Sequence, residues 1–258
     1  MPTLPILDAP LQDAQTLAAW GATLCVAPHP DDEALGCGGT LALLAQSGAR
    51  VGVVWVSDGG LSHPNSPSHP RPTLTALREH EALASLEALG VPIENAFFQR
   101  LPDGALPFPG DAEFAEAVAS ASAILARFAP QTLLLPWRRD PHRDHRASWL
   151  IWATAARDVE LRRLEYLVWA FERAAQNEWP RADEATAFRL DISAVSARKQ
   201  NAIAAHASQV TRLIDDDPTA FWLSPEVLRH FQTPFESWIA PFHHAPDSGE
   251  TACPTYQR

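Results

Sequence analysis

Two short polar runs hold most of the residues in this chain that could do chemistry. The first, HPDDE at positions 29–33, sets His29 beside three carboxylates, Asp31, Asp32 and Glu33. The second, DPHRDHR at 140–146, carries His142 and His145 three apart, with Asp140 and Asp144 beside them. So much like charge behind an apolar stretch is repulsive unless a cation offsets it. Imidazole and carboxylate are the donors of a divalent site, and a catalytic zinc takes about three protein ligands and keeps one position open for water. His29 and Asp32 can supply two ligands, and His145 or His142 the third. Asp31 is then free to act as general base beside a water whose pKa the ion lowers from ~15.7 towards ~7. Asp140 or Asp144 can hold a ring N–H from behind. Alone, HPDD reads as a solvated turn; the second run changes its meaning, provided the fold brings the two together.

The elements that must do this alternate along the chain. Short β-rich apolar runs at 23–28, 51–59, 94–101, 131–137 and 164–171 read as strands, with a possible sixth at 187–192. Helical spacing occupies 73–90 and 111–128, a helix opens on DPHRDHR, and a late one covers 194–209. GCGG at 36–39 reads as a tight turn leading into TLALLAQSGAR, and the Pro- and Ser-rich stretch 60–72 reads as a mobile loop that His63 and His69 solvate. This pattern predicts an α/β chain: a Rossmann-like three-layer sandwich with a mostly parallel sheet and helices on both faces. Ligands of such sheets bind beyond the carboxyl ends of strands, where strand order reverses. In the order 3-2-1-4-5 the first and fourth strands are neighbours there. HPDDE follows the first and DPHRDHR the fourth, so topology alone would place the two runs on adjacent loops. The expected organisation is a single domain over 1–258, with a core at about 22–210, a C-terminal appendage at about 211–258 and a loose tail after about 245.

Composition narrows the partners. The 258 residues are 46% hydrophobic, enough for a sizeable core, and carry a net charge of −11 with a pI of about 5.3. An acidic chain repels a phosphate backbone, which argues against nucleic acid. Cys25, Cys37 and Cys253 make neither a disulfide framework nor a thiolate zinc site. The first twenty residues lack the features of a signal peptide, and no run approaches the ~20 apolar residues of a membrane span. The expectation is a cytoplasmic protein acting on a small molecule, with a homo-oligomer left open.

The motifs resemble those of the PIG-L/LmbE family of metal-dependent N-deacetylases. APHPDDEALGCGGT and DPHRDHRAS are similar to its two signature motifs. LREHEALASLEALGV, RLPDG and ARKQNAIAAHASQ are similar to three weaker ones, in matching order over about 22–210. The resemblance implies zinc, or another divalent metal such as Fe2+, on His29, Asp32 and His145, and Asp31 as general base. His142 would stabilise the oxyanion in protonated form or protonate the leaving amine, and Asp144 would orient a histidine. Arg78 and Asp103 would contact the sugar of an N-acetylglucosaminyl substrate, which loses acetate. Arg138 and Arg139 depart from the family pattern, and loop 60–72 is long.

Other readings stand beside this one. Arg78 on its helix could merely pair with Glu79 or Glu81, and Asp103 could merely make a turn. His206, Ser208 and Gln209 could simply close the late helix. The tryptophans read as mostly core, with those at 149–152 and 169 able to line a sugar-stacking surface. GCGG and Asp58 suggest a dinucleotide-binding oxidoreductase using NAD(P), but Leu41 stands where the third glycine belongs. Two histidines and a carboxylate are also the facial triad of non-haem iron oxygenases, which commonly sit on antiparallel jelly rolls. A non-catalytic sugar-binding module should lack the base or a ligand, and this chain has both.

Overall fold

Apolar runs of five to seven residues with no polar face are buried on both sides, and only a sheet covered by helices achieves that. A computed structural model describes residues 3–242. The strands are Leu11–Gln12 (β1), Thr23–Ala27 (β2), Val51–Ser57 (β3), Ala96–Leu101 (β4), Thr132–Pro136 (β5), Arg162–Tyr166 (β6), Ala185–Asp191 (β7) and Phe235–Pro241 (β8). The α-helices are Asp32–Gln46 (α1), Arg71–Leu89 (α2), Phe114–Phe128 (α3), Arg143–Ala155 (α4), Ala170–Arg173 (α5), Ser196–Ala205 (α6), Ala207–Val210 (α7) and Pro225–Arg229 (α8). Among the described residues the strands form one sheet of order β1-β7-β8-β6-β5-β2-β3-β4. From β4 to β6 every pairing is parallel. The first five predicted strands are β2 to β6, and their order is 3-2-1-4-5. Parallel pairing here also sets the chain apart from the antiparallel jelly roll of the iron-oxygenase reading.

Helices cover both faces. Leu41 and Leu44 of α1, Leu86 of α2 and Ile203 of α6 pack with Trp55 on one side. Ala121 and Leu125 of α3, with Ile151 and Trp152 of α4, pack with Val54 on the other. Trp55 and Val54 are successive residues of β3, so the alternation of a strand splits them between the layers.

Several elements differ from the sequence reading. Helix α1 begins at Asp32, so Gly36, Gly38 and Gly39 lie inside it and make no turn. Glycine is required by packing: a Cβ on Gly36 would stand 2.2 Å from the Tyr166 ring. A glycine-rich loop at a strand end, the basis of the dinucleotide reading, is therefore not present there. The run expected as a strand over 164–171 leaves the sheet after Tyr166, and the Trp169 N–H then donates to Asp140 Oδ2 at 3.1 Å. The late helix breaks at His206, whose ring Nε2 lies 2.8 Å from Glu33 Oε1. Strand β8 lies in the range expected as an appendage, yet it pairs antiparallel with β6 on one side and β7 on the other. The loop at 60–72 is tied down: the Asn65 N–H donates to Asp217 and the Ser66 hydroxyl to Asp216, and His63 is buried. Cys25 and Cys37 are free and buried; Cys253 and the tail after 245 lie outside the described residues. No described helix is long and apolar enough to cross a membrane.

Candidate active site

Strand β2 ends at Ala27, and the chain turns through Pro28–Pro30 to Asp31, which precedes α1 with φ 143° and ψ −29°. A side-chain-bearing residue held there stores about 1–3 kcal/mol, and such strain persists only where the surroundings impose it. Asp32 and Glu33 occupy the first turn of α1, where the helix dipole favours carboxylates. On the neighbouring strand, β5 ends at Pro136 and the chain turns through Asp140 into α4. His142 is the cap of α4, its Nδ1 accepting from the Asp144 N–H at 3.2 Å, and His145 lies in the first turn.

The two runs meet. The His29 and His145 ring centroids are 5.5 Å apart, and His142 lies 4.8 Å from His29 and 5.1 Å from His145. Asp32 Oδ2 sits between two rings, 3.3 Å from His29 Nδ1 and 3.2 Å from His145 Nε2. Donors ~2.0–2.1 Å from a tetrahedral ion are roughly 3.3 Å from one another, so these spacings suit a shared cation. His145 has no solvent exposure, and neither of its ring nitrogens makes a hydrogen bond of ordinary geometry. A buried imidazole nitrogen without an ordinary hydrogen bond calls for an explanation, and a cation shared with Asp32 is one that fits these distances. One nitrogen from each of His29, His142 and His145 also lies within 4.8 Å of the others, a group that can hold a metal. The two candidate orienting carboxylates divide the rings between them. Asp140 Oδ1 is 3.6 Å from His145 Nδ1, and Asp144 Oδ2 is 3.4 Å from His29 Nε2.

Electrostatics separate the roles. Burial pushes the Asp31 carboxyl up to about 7, helped by neighbouring Asp32 and opposed by Arg78. Burial would raise Asp32 too, but the His145 and His29 rings outweigh it and hold the carboxyl well below the usual range. Burial works to neutralise His145, yet Asp32 and Asp140 carry it up to about 9. His142 goes the other way: burial, then the His29 and His145 rings, hold it down to about 3. With Nδ1 accepting a backbone N–H, the Nε2 position is the one left to carry a ring proton.

Arg78 is buried and pairs with neither Glu79 nor Glu81. Its guanidinium donates to Pro30 O at 2.6 Å and Gly59 O at 2.9 Å, and reaches Asp31 Oδ2 at 3.3 Å. Asp103 accepts the Leu61 N–H at 2.9 Å and stands 3.2 Å from His29 Nε2. Arg138 and Arg139 face away, pairing with Glu165 and Glu184 and stacking on Trp137. A cavity of about 250 Å³ opens over His29, Asp31, Asp32, Arg78, Asp103 and His142. Its wall adds Ser62 from the long loop, Gln209 from α7, Trp169 and Phe221. Trp149 and Trp152 instead donate to Glu165 and Gln99. Sequence reasoning passed over Ser62 and Phe221, which carry no motif, and set aside Gln209 and His206 although the HASQ run held a signal.

A family model described as PIG-L, GlcNAc-PI de-N-acetylase, matches residues 24–156. A 1D-myo-inositol 2-acetamido-2-deoxy-alpha-D-glucopyranoside deacetylase from Kineococcus radiotolerans is 39% identical over 84 residues, 31% of this chain. The match spans only 23% of that enzyme. Among solved structures, the N,N'-diacetylchitobiose deacetylase from Pyrococcus horikoshii superposes with a TM-score of 0.66 at 20% identity, covering 90% of this chain and 89% of that one. The zinc-inhibited form of teicoplanin deacetylase Orf2 gives 0.62 at 20% identity, covering 87% of this chain and 100% of that one. At such identity the structures establish a shared fold.

Proposed function

The chain belongs to the PIG-L, GlcNAc-PI de-N-acetylase, family, and from that premise we propose that it hydrolyses the acetamide of an N-acetylglucosaminyl-type glycoside. The observation that carries this reading is Asp31. It is a strained, buried carboxylate on the floor of the cavity, titrating near neutrality beside a set of donors fit for a cation.

His29, Asp32 and His145 would hold the ion, and zinc suits two imidazoles and one carboxylate. When bound it supplies a Lewis acid for the acetamide carbonyl and lowers the pKa of a water towards ~7. Asp31 takes the proton of the attacking water, and a pKa near the working pH suits a group that must accept a proton and release it again. The Arg78 guanidinium, 3.3 Å away, fixes the orientation of that carboxylate. His142 donates its Nε2–H to the carbonyl oxygen as negative charge develops there, the service of an oxyanion hole. Collapse expels the amine, which receives its proton from Asp31. Asp140 and Asp144 keep the two ligand rings turned inwards.

At about 250 Å³ the cavity suits one acetamido sugar, with Asp103 and Arg78 as its polar partners and Trp169 as an apolar wall. The rest of the glycoside projects through the mouth. A panel of N-acetylated glycosides, assayed for released acetate with and without chelator, tests this. Acetate release that a chelator abolishes and zinc restores is the expected result; restoration by Fe2+ alone would reassign the metal. His29→Ala and His145→Ala should each lose bound zinc, and a full complement in either would refute the ligand set.

A further inference from the structure

Beneath the floor of this cavity lies a second group of buried polar side chains that the mechanism does not use. Glu33 has no solvent exposure, and its carboxylate receives four donors. Ser85 Oγ of α2 and His206 Nε2 approach Oε1 at 2.7 and 2.8 Å. Trp55 Nε1 of β3 donates to Oε2 at 2.8 Å, and the fourth donor, on that same oxygen at 3.1 Å, is the Asp31 backbone N–H. The donors come from the strand, the helix and the α6–α7 break that enclose α1, so the carboxylate is fixed on three sides. Asp31 is one of three described non-glycine residues with a positive φ, and its φ of 143° lies furthest from the left-handed well. Its own side chain makes no capping bond to α1. What turns its amide inwards is Glu33.

We infer that Glu33, locked by His206, is a positioning residue: it clamps the Asp31 amide and so holds the Asp31 backbone in the strained turn that aims its carboxylate into the cavity. The inference rests on the proposed role of Asp31 as the base, but the clamp itself is a statement about the backbone. Glutamine is a poorer clamp, because it has one acceptor oxygen where the carboxylate has two, and Ser85 Oγ and His206 Nε2 would have to turn from donating to accepting to meet its NH2. His206 ends α6 at a helix-breaking geometry of φ −80° and ψ 54°, which brings its ring to Glu33.

The test compares Glu33→Gln with Trp55→Phe and Ser85→Ala, each of which removes one donor from Glu33 but leaves its bond to Asp31. Zinc content, kcat and KM are measured on the best glycoside of the panel. Amide hydrogen exchange at Asp31 is followed by NMR. The expected result for Glu33→Gln is a kcat at least about 100-fold lower, with KM within about threefold and zinc content unchanged. Its Asp31 amide should exchange at least about tenfold faster. The two control variants should keep kcat within about threefold and keep the amide protected. Equal losses in all three would make Glu33 merely structural and overturn the inference, as would an Asp31 amide equally protected in Glu33→Gln. Should Glu33→Gln not fold, His206→Leu removes the ring that locks Glu33; its kcat should fall about tenfold with faster Asp31 exchange, and no change in kcat or in Asp31 exchange overturns the clamp. A wild type that deacetylates nothing in the panel would sink the proposed function, while the exchange measurements would still decide the clamp.

Discussion

Helix α1 touches two clusters of buried charge, and they behave differently. Near its second turn, Glu236 of β8 accepts four bonds: from the Gly39 and Thr40 N–H groups at 2.7 and 2.8 Å, the Thr40 hydroxyl at 2.6 Å, and Lys199 Nζ at 2.7 Å. Lys199 and Glu236 are each within a few per cent of complete burial. At the start of the helix, Asp31, Asp32 and His145 are also buried, but Asp31 has a strained backbone and neither His145 ring nitrogen makes a hydrogen bond of ordinary geometry. In the first cluster every carboxylate oxygen is answered by protein, although Lys199 and Glu236 also line a cavity of about 290 Å³. The second also lines a cavity but is answered only in part. Burial of charge is therefore no sign of function by itself; incomplete pairing and backbone strain, found together, mark the cluster that has work left to do.

The contrast breaks most sharply at Asp31. Asp31→Asn should lower acetate release by about 10²–10⁴-fold, the usual worth of a general base. Any fall in melting temperature should be small, because Asn tolerates positive φ and keeps an oxygen for the Arg78 guanidinium, which also donates to Pro30 O and Gly59 O. A protein that melted lower with turnover intact would make Asp31 structural and erase the difference. Lys199→Ala should do the opposite. Leaving Glu236 buried without its cation costs about 3–5 kcal/mol, read as a lower urea midpoint, while zinc binding and kcat of the folded protein stay within about twofold. An unchanged midpoint would mean that the four bonds to Glu236 do not depend on the ion pair.

A smaller effect sharpens how tightly the two clusters share α1. Gly36→Ala drives a methyl into the Tyr166 ring, whose hydroxyl donates to Val26 O at 2.7 Å. Overpacking of this kind costs about 1–3 kcal/mol. If α1 is a rigid link, kcat should drop as well; a loss of stability alone would uncouple helix packing from the site. The smallest effect lies outside both clusters. Glu184 is held down to about 2 from 4.5: burial works against this, but the Arg139 guanidinium outweighs it. The stabilisation is complete above pH 4.5 and is lost as pH falls through about 2. Glu184→Gln should therefore cost about 1 kcal/mol at pH 7 and flatten the acid limb of a stability–pH curve, with acetate release unaltered.

The fold's central half was readable because its strands are buried on both faces. TLCVA, VGVVWVS and TLLLP have no polar side, and runs of that kind alternating with helices admit little but a parallel sheet. Strand β8 was not readable. FESWIAP carries a buried Glu236 and ends in proline, and it becomes a central strand only because β6 and β7 both offer it an edge. In the site, the motif residues His29, Asp31, Asp32, His142, Asp144 and His145 were legible by type and spacing, as was the neighbourhood of β2 and β5. Ser62 and Phe221 were not: they reach the cavity because loop 60–72 is bonded to Asp216 and Asp217 of a segment some 150 residues away.

By itself, then, the sequence determined which side chains can carry the chemistry and which strands present them, since donor type and hydrophobic period are local properties. Only the tertiary structure decided how those side chains are charged and aimed. It brought His145 to Asp32, set His142 against two other imidazoles, and placed Glu33 and His206 under Asp31. Charge state and backbone strain depend on distances between groups remote in sequence, and those distances exist only once the chain has packed.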